Sequence, residues 1–312
     1  MRTGWSNTCL GTAERIGSRF PLSSDALIVH SVYATTINLQ DANGTLYSIV
    51  TKKLACHPAA VLMDNGVRFN GTESAHVFPG STATVREEGL FFNCGLWVSF
   101  LGATRVHPTL ESAPRASMVT TAVIRRRMEL LDSMQKQQET ILQIFQPNGT
   151  APVGQSFFHR FHHTLANLST SITRQTLPDS TETIRSLVGF GPGSTPAGDD
   201  FLCGLILSWY MDLDKFVSQD QFYRHLMEEI KTMLVADNHL TTAISRMFLL
   251  LACEGLFSDS LILLARAWAS TESDDRDFIE ALTAVSEIGH SSGLDAAFGM
   301  VYGFSHHLMD VA

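Results

Sequence analysis

At 312 residues the chain has room for one large domain or two smaller ones with real cores. Charged residues make up 17% and hydrophobic ones 45%, a balance that excludes a disordered chain. The net charge of -9 argues against a nucleic-acid binder, which needs a basic face, although a local pocket can still hold a small anion. The 5 cysteines are scattered, odd in number and without CxxC spacing, as expected of reduced thiols in a cytoplasmic protein. Residues 1–20 lack the apolar centre of a signal peptide. No apolar run approaches the roughly 18 to 20 residues of a membrane span, so no membrane partner is expected.

In chain order, residues 1–24 carry no periodic pattern and read as a lead-in. Residues 25–108 turn to strand texture, with β-branched runs at 26–32, 36–39 and 46–51 and further short runs at 60–63, 75–78, 82–86, 90–92 and 96–101. Asp41-Ala-Asn-Gly44 between two of them is a hairpin signal, because that turn needs positive φ at its central residues. Glycine turns between short strands predict a small antiparallel β barrel or sandwich.

From 115 to 312 the texture is helical, so the fold class expected is α+β, an N-terminal β domain followed by an all-helical one. A long helix is predicted over 117–145. Its Arg125-Arg-Arg127 reads as a solvated face rather than an anion clamp. Pro147-Asn-Gly149 turns the chain into a helix over 156–172 with His159, His162 and His163; no cysteine or interposed Glu completes a zinc site there. Further helices are expected behind residue 201, around 222–236, from 247, and over 261–269 and 278–288. The acidic run at 272–275 reads as a solvated loop, and Ser305-His-His307 as a fraying end.

Gly189-Phe-Gly-Pro-Gly-Ser-Thr-Pro-Ala-Gly-Asp-Asp-Phe201 stands out. Its glycines and prolines exclude a helix or strand interior and make it a shaped loop opening an apolar helix. Free amides at a helix N-terminus suit an anionic oxygen, so phosphate or carboxylate binding is the first hypothesis. Gly198-Asp-Asp-Phe-Leu-Cys-Gly204 aligns with Gly293-Leu-Asp-Ala-Ala-Phe-Gly299 as Gly-x-Asp-x-x-x-Gly. Both precede an apolar helix and follow hydroxyl-bearing turns (Ser194 and Thr195; Ser291 and Ser292). The expectation is two helices crossing near Gly204 and Gly299 with both polar starts in one cleft. The plainer alternative is that Asp200 and Asp295 only cap their helices. Asp199, Asp200 and Asp295 either hold Mg²⁺, or one of Asp199 and Asp200 folds inward and accepts the loop amides.

The pattern from Gly189 to Gly204, with Thr241-Thr-Ala-Ile-Ser245 and Gly289-His-Ser-Ser-Gly-x-Asp295, resembles the AllH family. His30-Ser-Val-Tyr-Ala-Thr-Thr-Ile-Asn-Leu39 is similar to that family's early strand, although Ala34 and Thr35 stand where a charged residue is expected. The resemblance spans residues 25–305. It implies a subunit of an oxamate carbamoyltransferase of allantoin and purine nitrogen breakdown, converting carbamoyl phosphate and oxamate to oxalurate and phosphate, reversibly, beside AllF-like and AllG-like partner subunits.

For that chemistry Gly191, Gly193, Ser194, Thr195, Gly198, Ser291, Ser292 and Gly293 are the expected substrate donors. Thr241, Thr242 and Ser245 line the same face on the strength of the resemblance. Asp199, Asp200, His290 and Asp295 are the catalytic candidates. Mg²⁺ is the one cofactor considered. Two alternatives stay open: a non-catalytic metabolite-binding or assembly subunit, and a metal-dependent phosphate-processing enzyme using the three aspartates. No Walker loop, dinucleotide fingerprint or nucleophile elbow is present.

Overall fold

A computed structural model describes residues 8–51, 56–63, 67–69, 76–106, 120–138, 155–211, 220–270 and 275–309. The chain divides into two compact units, Met1–Pro108 and Thr109–Ala312.

The first unit is a barrel. Its strands are β1 (Thr8–Gly17), β2 (Ser24–Val32), β3 (Thr36–Gln40), β4 (Leu46–Val50), β5 (Ala60–Met63), β6 (Thr82–Arg86), β7 (Gly89–Phe92), β8 (Leu96–Ser99) and β9 (Thr104–Val106). The order β5-β4-β3-β2-β6-β7-β8-β1 closes through a β1–β5 pairing, giving eight strands, and β9 adds beside the end of β1. Alternation fills the interior: Leu27 and Val29, Ile37 and Leu39, Val61 and Met63, Ala83 and Val85, Leu90 and Phe92, Leu96 and Val98 share one core. The register agrees with it, since Val29 faces Leu39 and Val85 faces Leu90 across paired strands.

Three expectations change here. The barrel is mixed rather than antiparallel, because β4–β5, β1–β8 and β1–β9 run parallel. Residues 8–17, read as part of a lead-in, form the strand that closes the ring. Residues 76–78 are not in a strand, and Ala75 lies outside the described residues. The β3–β4 hairpin is present, but with a longer turn than Asn-Gly alone would give. Only Gly44 has positive φ, at 83°, and Oδ1 of Asp41 accepts from the amides of Asn43 (2.9 Å) and Thr45 (2.8 Å).

In the second unit the described helices are α1 (Thr121–Gln137), α2 (Gln155–Thr173), α3 (Leu177–Leu187), α4 (Ala197–Met211), α5 (Gln221–Ala236), α6 (Ala243–Cys253), α7 (Asp259–Ala269), α8 (Arg276–Ser286) and α9 (Ser292–Met309). The turn expected at 147–149 and the acidic residues 272–274 lie outside the described residues. Helix α3 had no counterpart in the sequence reading. α4 is buried on nearly every face and packs against α3, α6, α7 and α9, which explains its apolar composition all round.

The arginine run is a solvated face only in part, since Arg125 and Arg126 are exposed and Arg127 is not. Arg125 is exposed, but Arg127 is buried, donates from Nε to Oδ1 of Asp275 at 3.0 Å and reaches the carbonyls of Trp268 and Ser270. Arg126 donates to the other oxygen of Asp275. Asp275, read as loop, is therefore a buried anchor that ties α1 to the start of α8. Burial alone would raise its pKa, yet the bonds and charges of Arg126 and Arg127 outweigh that and hold it below the usual carboxylate range.

Candidate functional site

The site is built where α4 and α9 begin. The two helices cross so closely that a Cβ on Gly204 would collide with the carbonyl oxygen of Ala296, and one on Gly299 with that of Phe201. These contacts are reciprocal, since Ala296 directly follows Asp295 and Phe201 directly follows Asp200. The crossing is thus a pseudo-twofold arrangement that sets the two aspartates at matching places near each other. Phe201 and Phe298 pack edge to face beside it, centroids 5.5 Å apart.

Ahead of α4, residues 189–196 form the loop anticipated from the glycines. Gly191 and Gly193 sit at φ 113° and 106°, which L side chains rarely adopt. The tip is exposed, and among the described residues the amides of Gly193 and Ser194 donate to no backbone carbonyl. Behind the tip the loop is pinned: the Gly198 amide donates to Phe190 O at 2.8 Å, and a side chain on Gly198 would strike Leu187 O.

Two further segments meet this loop. Thr195 and Ser292 hydroxyls are 2.7 Å apart, joining the start of α9 to the loop before α4. Thr242 caps α6 by accepting from the Ser245 amide (3.1 Å), and its hydroxyl donates to Ser194 O at 2.6 Å. Thr241 donates to Oδ2 of Asp199. His290 and Ser291 lie in the turn before α9, His290 exposed and Ser291 partly so, while Gly293 is buried with its amide on Ile288 O at 3.2 Å.

The three aspartates have separate fates. Asp199 is turned inward, 1% exposed, and Oδ1 accepts the Gly189 amide at 2.8 Å. It braces the loop from beneath. Burial raises its pKa, while Thr241, Gly189 and Ser245 pull it back. The sequence left open which neighbour would brace, and the structure selects Asp199. Its partner Gly189, absent from the expected site, was signalled by the first glycine of Gly-x-Gly; it sits at φ 73° against Leu240 O.

Asp200 points to the other side. Its Oδ2 is buried and accepts no hydrogen bond, and burial raises its pKa well above the usual value. Ser292 and Thr195 oppose that rise, whereas the charges of Asp295 and Asp199 add to it. Asp295 is 0% exposed. Among the described residues no three His, Cys, Asp or Glu side chains are grouped to hold a metal. With Asp199 engaged elsewhere, the expected Mg²⁺ set of Asp199, Asp200 and Asp295 is not assembled. His162, similarly, belongs to no such group, and the side chains of His159, His306 and His307 lie outside the described residues. A cavity of about 570 Å³ lined by Tyr210, Arg224, His225 and Cys253 shares no residue with these loops.

A β barrel followed by a helical unit, with two glycine-rich helix starts laid against each other, defines a two-part α+β protein whose polar groups gather at helix N-termini. Residues 187–304 match the oxamate carbamoyltransferase subunit AllH family, and residues 9–105 match the AllH family N-terminal domain, so the chain belongs to the AllH family. The family description, a subunit, carries with it partner subunits. No curated protein and no solved structure matches the chain. Among the described residues, no helix is long and apolar enough to cross a membrane.

Proposed function

We propose that this chain supplies the anion-holding part of an oxamate carbamoyltransferase, binding carbamoyl phosphate and oxamate, or oxalurate and phosphate in reverse, in purine nitrogen breakdown. The observation that carries this reading is the junction of two helix starts through Thr195 and Ser292, beside an exposed loop tip whose Gly193 and Ser194 amides donate to no backbone carbonyl among the described residues. Such a junction offers two positive helix ends and several hydroxyls to one anion. Carbamoyl transfer asks for little covalent help. It needs a phosphate cradle, donors for the carbonyl oxygen as charge builds, and a fixed acceptor nitrogen.

In this scheme Gly191, Gly193, Ser194 and Thr195 form the cradle, with Ser291 and Ser292 facing them, while Gly293, its amide bonded to Ile288 O, serves only the close packing of α9 against α8. Thr241, Thr242 and Ser245 hold the cradle in shape from α6, and His290 is an exposed donor for a substrate carboxylate. The metal-dependent alternative lacks its third carboxylate, because Asp199 is spent on the loop. AllF-like and AllG-like chains are the partners proposed.

Calorimetric titration of carbamoyl phosphate and of oxalurate into the chain, alone and assembled with its partner subunits, tests the reading. Saturable binding that Ser292→Ala weakens about tenfold, with turnover only in the assembly, is expected. An active assembly in which this chain binds neither ligand would assign it to scaffolding.

A further inference from the structure

We infer that the cavity formed by the C-terminal ends of α4 and α6 and the first turns of α5 is a second ligand site, shaped for a small organic carboxylate with a flat apolar body. The inference does not depend on carbamoyl transfer. The cavity holds about 570 Å³, a volume that suits a whole small metabolite. It lies apart from the glycine loop: α4 has 15 residues, and Tyr210 near its end stands about 20 Å along the axis from Ala197 at its start.

The wall is fixed in advance. Tyr210 donates its hydroxyl to Cys253 O at 2.8 Å, and its ring meets Phe257 edge to face with centroids 5.9 Å apart. Gly255 packs against the same ring so closely that a Cβ there would stand 2.8 Å from a ring carbon. Met227 and Cys253 are buried beside it. Burial pushes the Cys253 thiol up to about 12, so it remains a neutral surface and not a thiolate.

The rim is polar and uncommitted. Gln221, Arg224 and His225 are exposed at the cavity edge, and among the described residues their side chains make no hydrogen bond and no ion pair. Gln221 is three residues from Arg224 and four from His225, so all three share one face of α5. Two acids stand nearby. Glu228, on the rim, is held by Lys231 at 2.6 Å, and Glu254 acts on both Lys231 and Tyr210. Arg224 is therefore the lining cation that has no carboxylate of its own. A guanidinium fork beside an amide matches the two oxygens of a single carboxylate, whereas a phosphate dianion would also meet the charge of Glu228. The held ring of Tyr210 supplies the surface on which a flat body can lie.

Benzoate is the probe, titrated into the full chain and followed by calorimetry and ligand-observed NMR. Saturable binding is expected, weakened about tenfold or more in Arg224→Gln and less in Arg224→Lys, which keeps the charge and loses the fork. Benzamide, with the ring and no charge, and acetate, with the charge and no ring, are each expected to bind about tenfold more weakly than benzoate. Ser292→Ala should leave benzoate binding within twofold of the parent, because the cavity shares no residue with the glycine loop. Benzoate that does not saturate overturns the site, as does an Arg224→Gln chain that binds it within twofold of the parent. Loss of benzoate binding in Ser292→Ala would move the ligand to the glycine loop and overturn the site as well. Benzamide as tight as benzoate removes the carboxylate from the inference, and acetate as tight as benzoate removes the flat body; both comparisons use the unsubstituted chain and hold even if the Arg224 variants fail to fold.

Discussion

Asp199 and Asp200 are adjacent in sequence and opposite in purpose, and the difference is set by what each meets. Asp199 accepts from the Gly189 amide and Thr241, so its removal strands two inward donors. Asp199→Ala should cost about 2 kcal/mol in urea denaturation. Asp200 places a carboxylate where its charge is opposed by burial and by Asp295. A carboxylate whose pKa is raised by folding stabilises the native state below its unfolded value, and that contribution is lost as pH rises through the folded value. Asp200→Asn should therefore raise Tm at alkaline pH, with the gain vanishing as the solution is acidified. A gain that instead grows on acidification would show Asp200 to be a paired, ionised group. No pattern in the chain distinguishes these neighbours, because the partners that decide between them, Thr241 and Asp295, lie 42 and 95 positions away (241 minus 199; 295 minus 200).

Among elements, α4 and α9 were the most legible, since Gly-x-Asp-x-x-x-Gly spans the first turns of each and a glycine one turn after an aspartate marks close approach. Gly204→Ala and Gly299→Ala should each cost about 3 kcal/mol, since each new methyl group meets a carbonyl oxygen of the opposite helix. A loss at only one of the two would break the reciprocity of the crossing. Strand β1 was hidden because its register shifts between Cys9 and Gly11 and again between Ala13 and Arg15. Those bulges place the inward Leu10 and Ala13 three residues apart, which erases the period of two. Helix α3 was hidden differently. One of its buried positions is Ser180, beside Ile184 and Leu187, so its apolar stripe is thin, and its Pro178 is a legitimate first-turn residue that reads at first as a breaker. The buried Arg127 needed Asp275, 148 positions on, to make sense. Arg127→Ala should cost about 3–5 kcal/mol by leaving Asp275 buried with half its support.

For the whole molecule these ionisations combine into a pH profile. Burial lowers the pKa of His57 in the barrel unit to about 4. Between that value and the unfolded value of about 6.5 the unfolded chain binds the extra proton, so stability rises with pH across this window. Asp275, held low by its arginines, acts in the same sense below the ordinary carboxylate range. Asp199 and Asp200 act oppositely as pH climbs through their raised values. A Tm-against-pH curve should therefore fall on both sides, and His57→Asn should flatten the acidic side between pH 6.5 and about 4. An acidic side unchanged by that substitution would remove His57 from the account.

The backbone-to-backbone seating of α4 on α9 also constrains any evolution of new selectivity. Where Gly204 and Gly299 bring backbone against backbone, no side chain is left to shrink or rotate, so the two helices act as fixed jaws at that point. On the proposed function, acceptors larger than the native one should be admitted only by changes in the exposed tip around Gly193 and Ser194 or in the turn at His290, so a mutant library confined to those positions would sample the adjustable part of the proposed recognition surface.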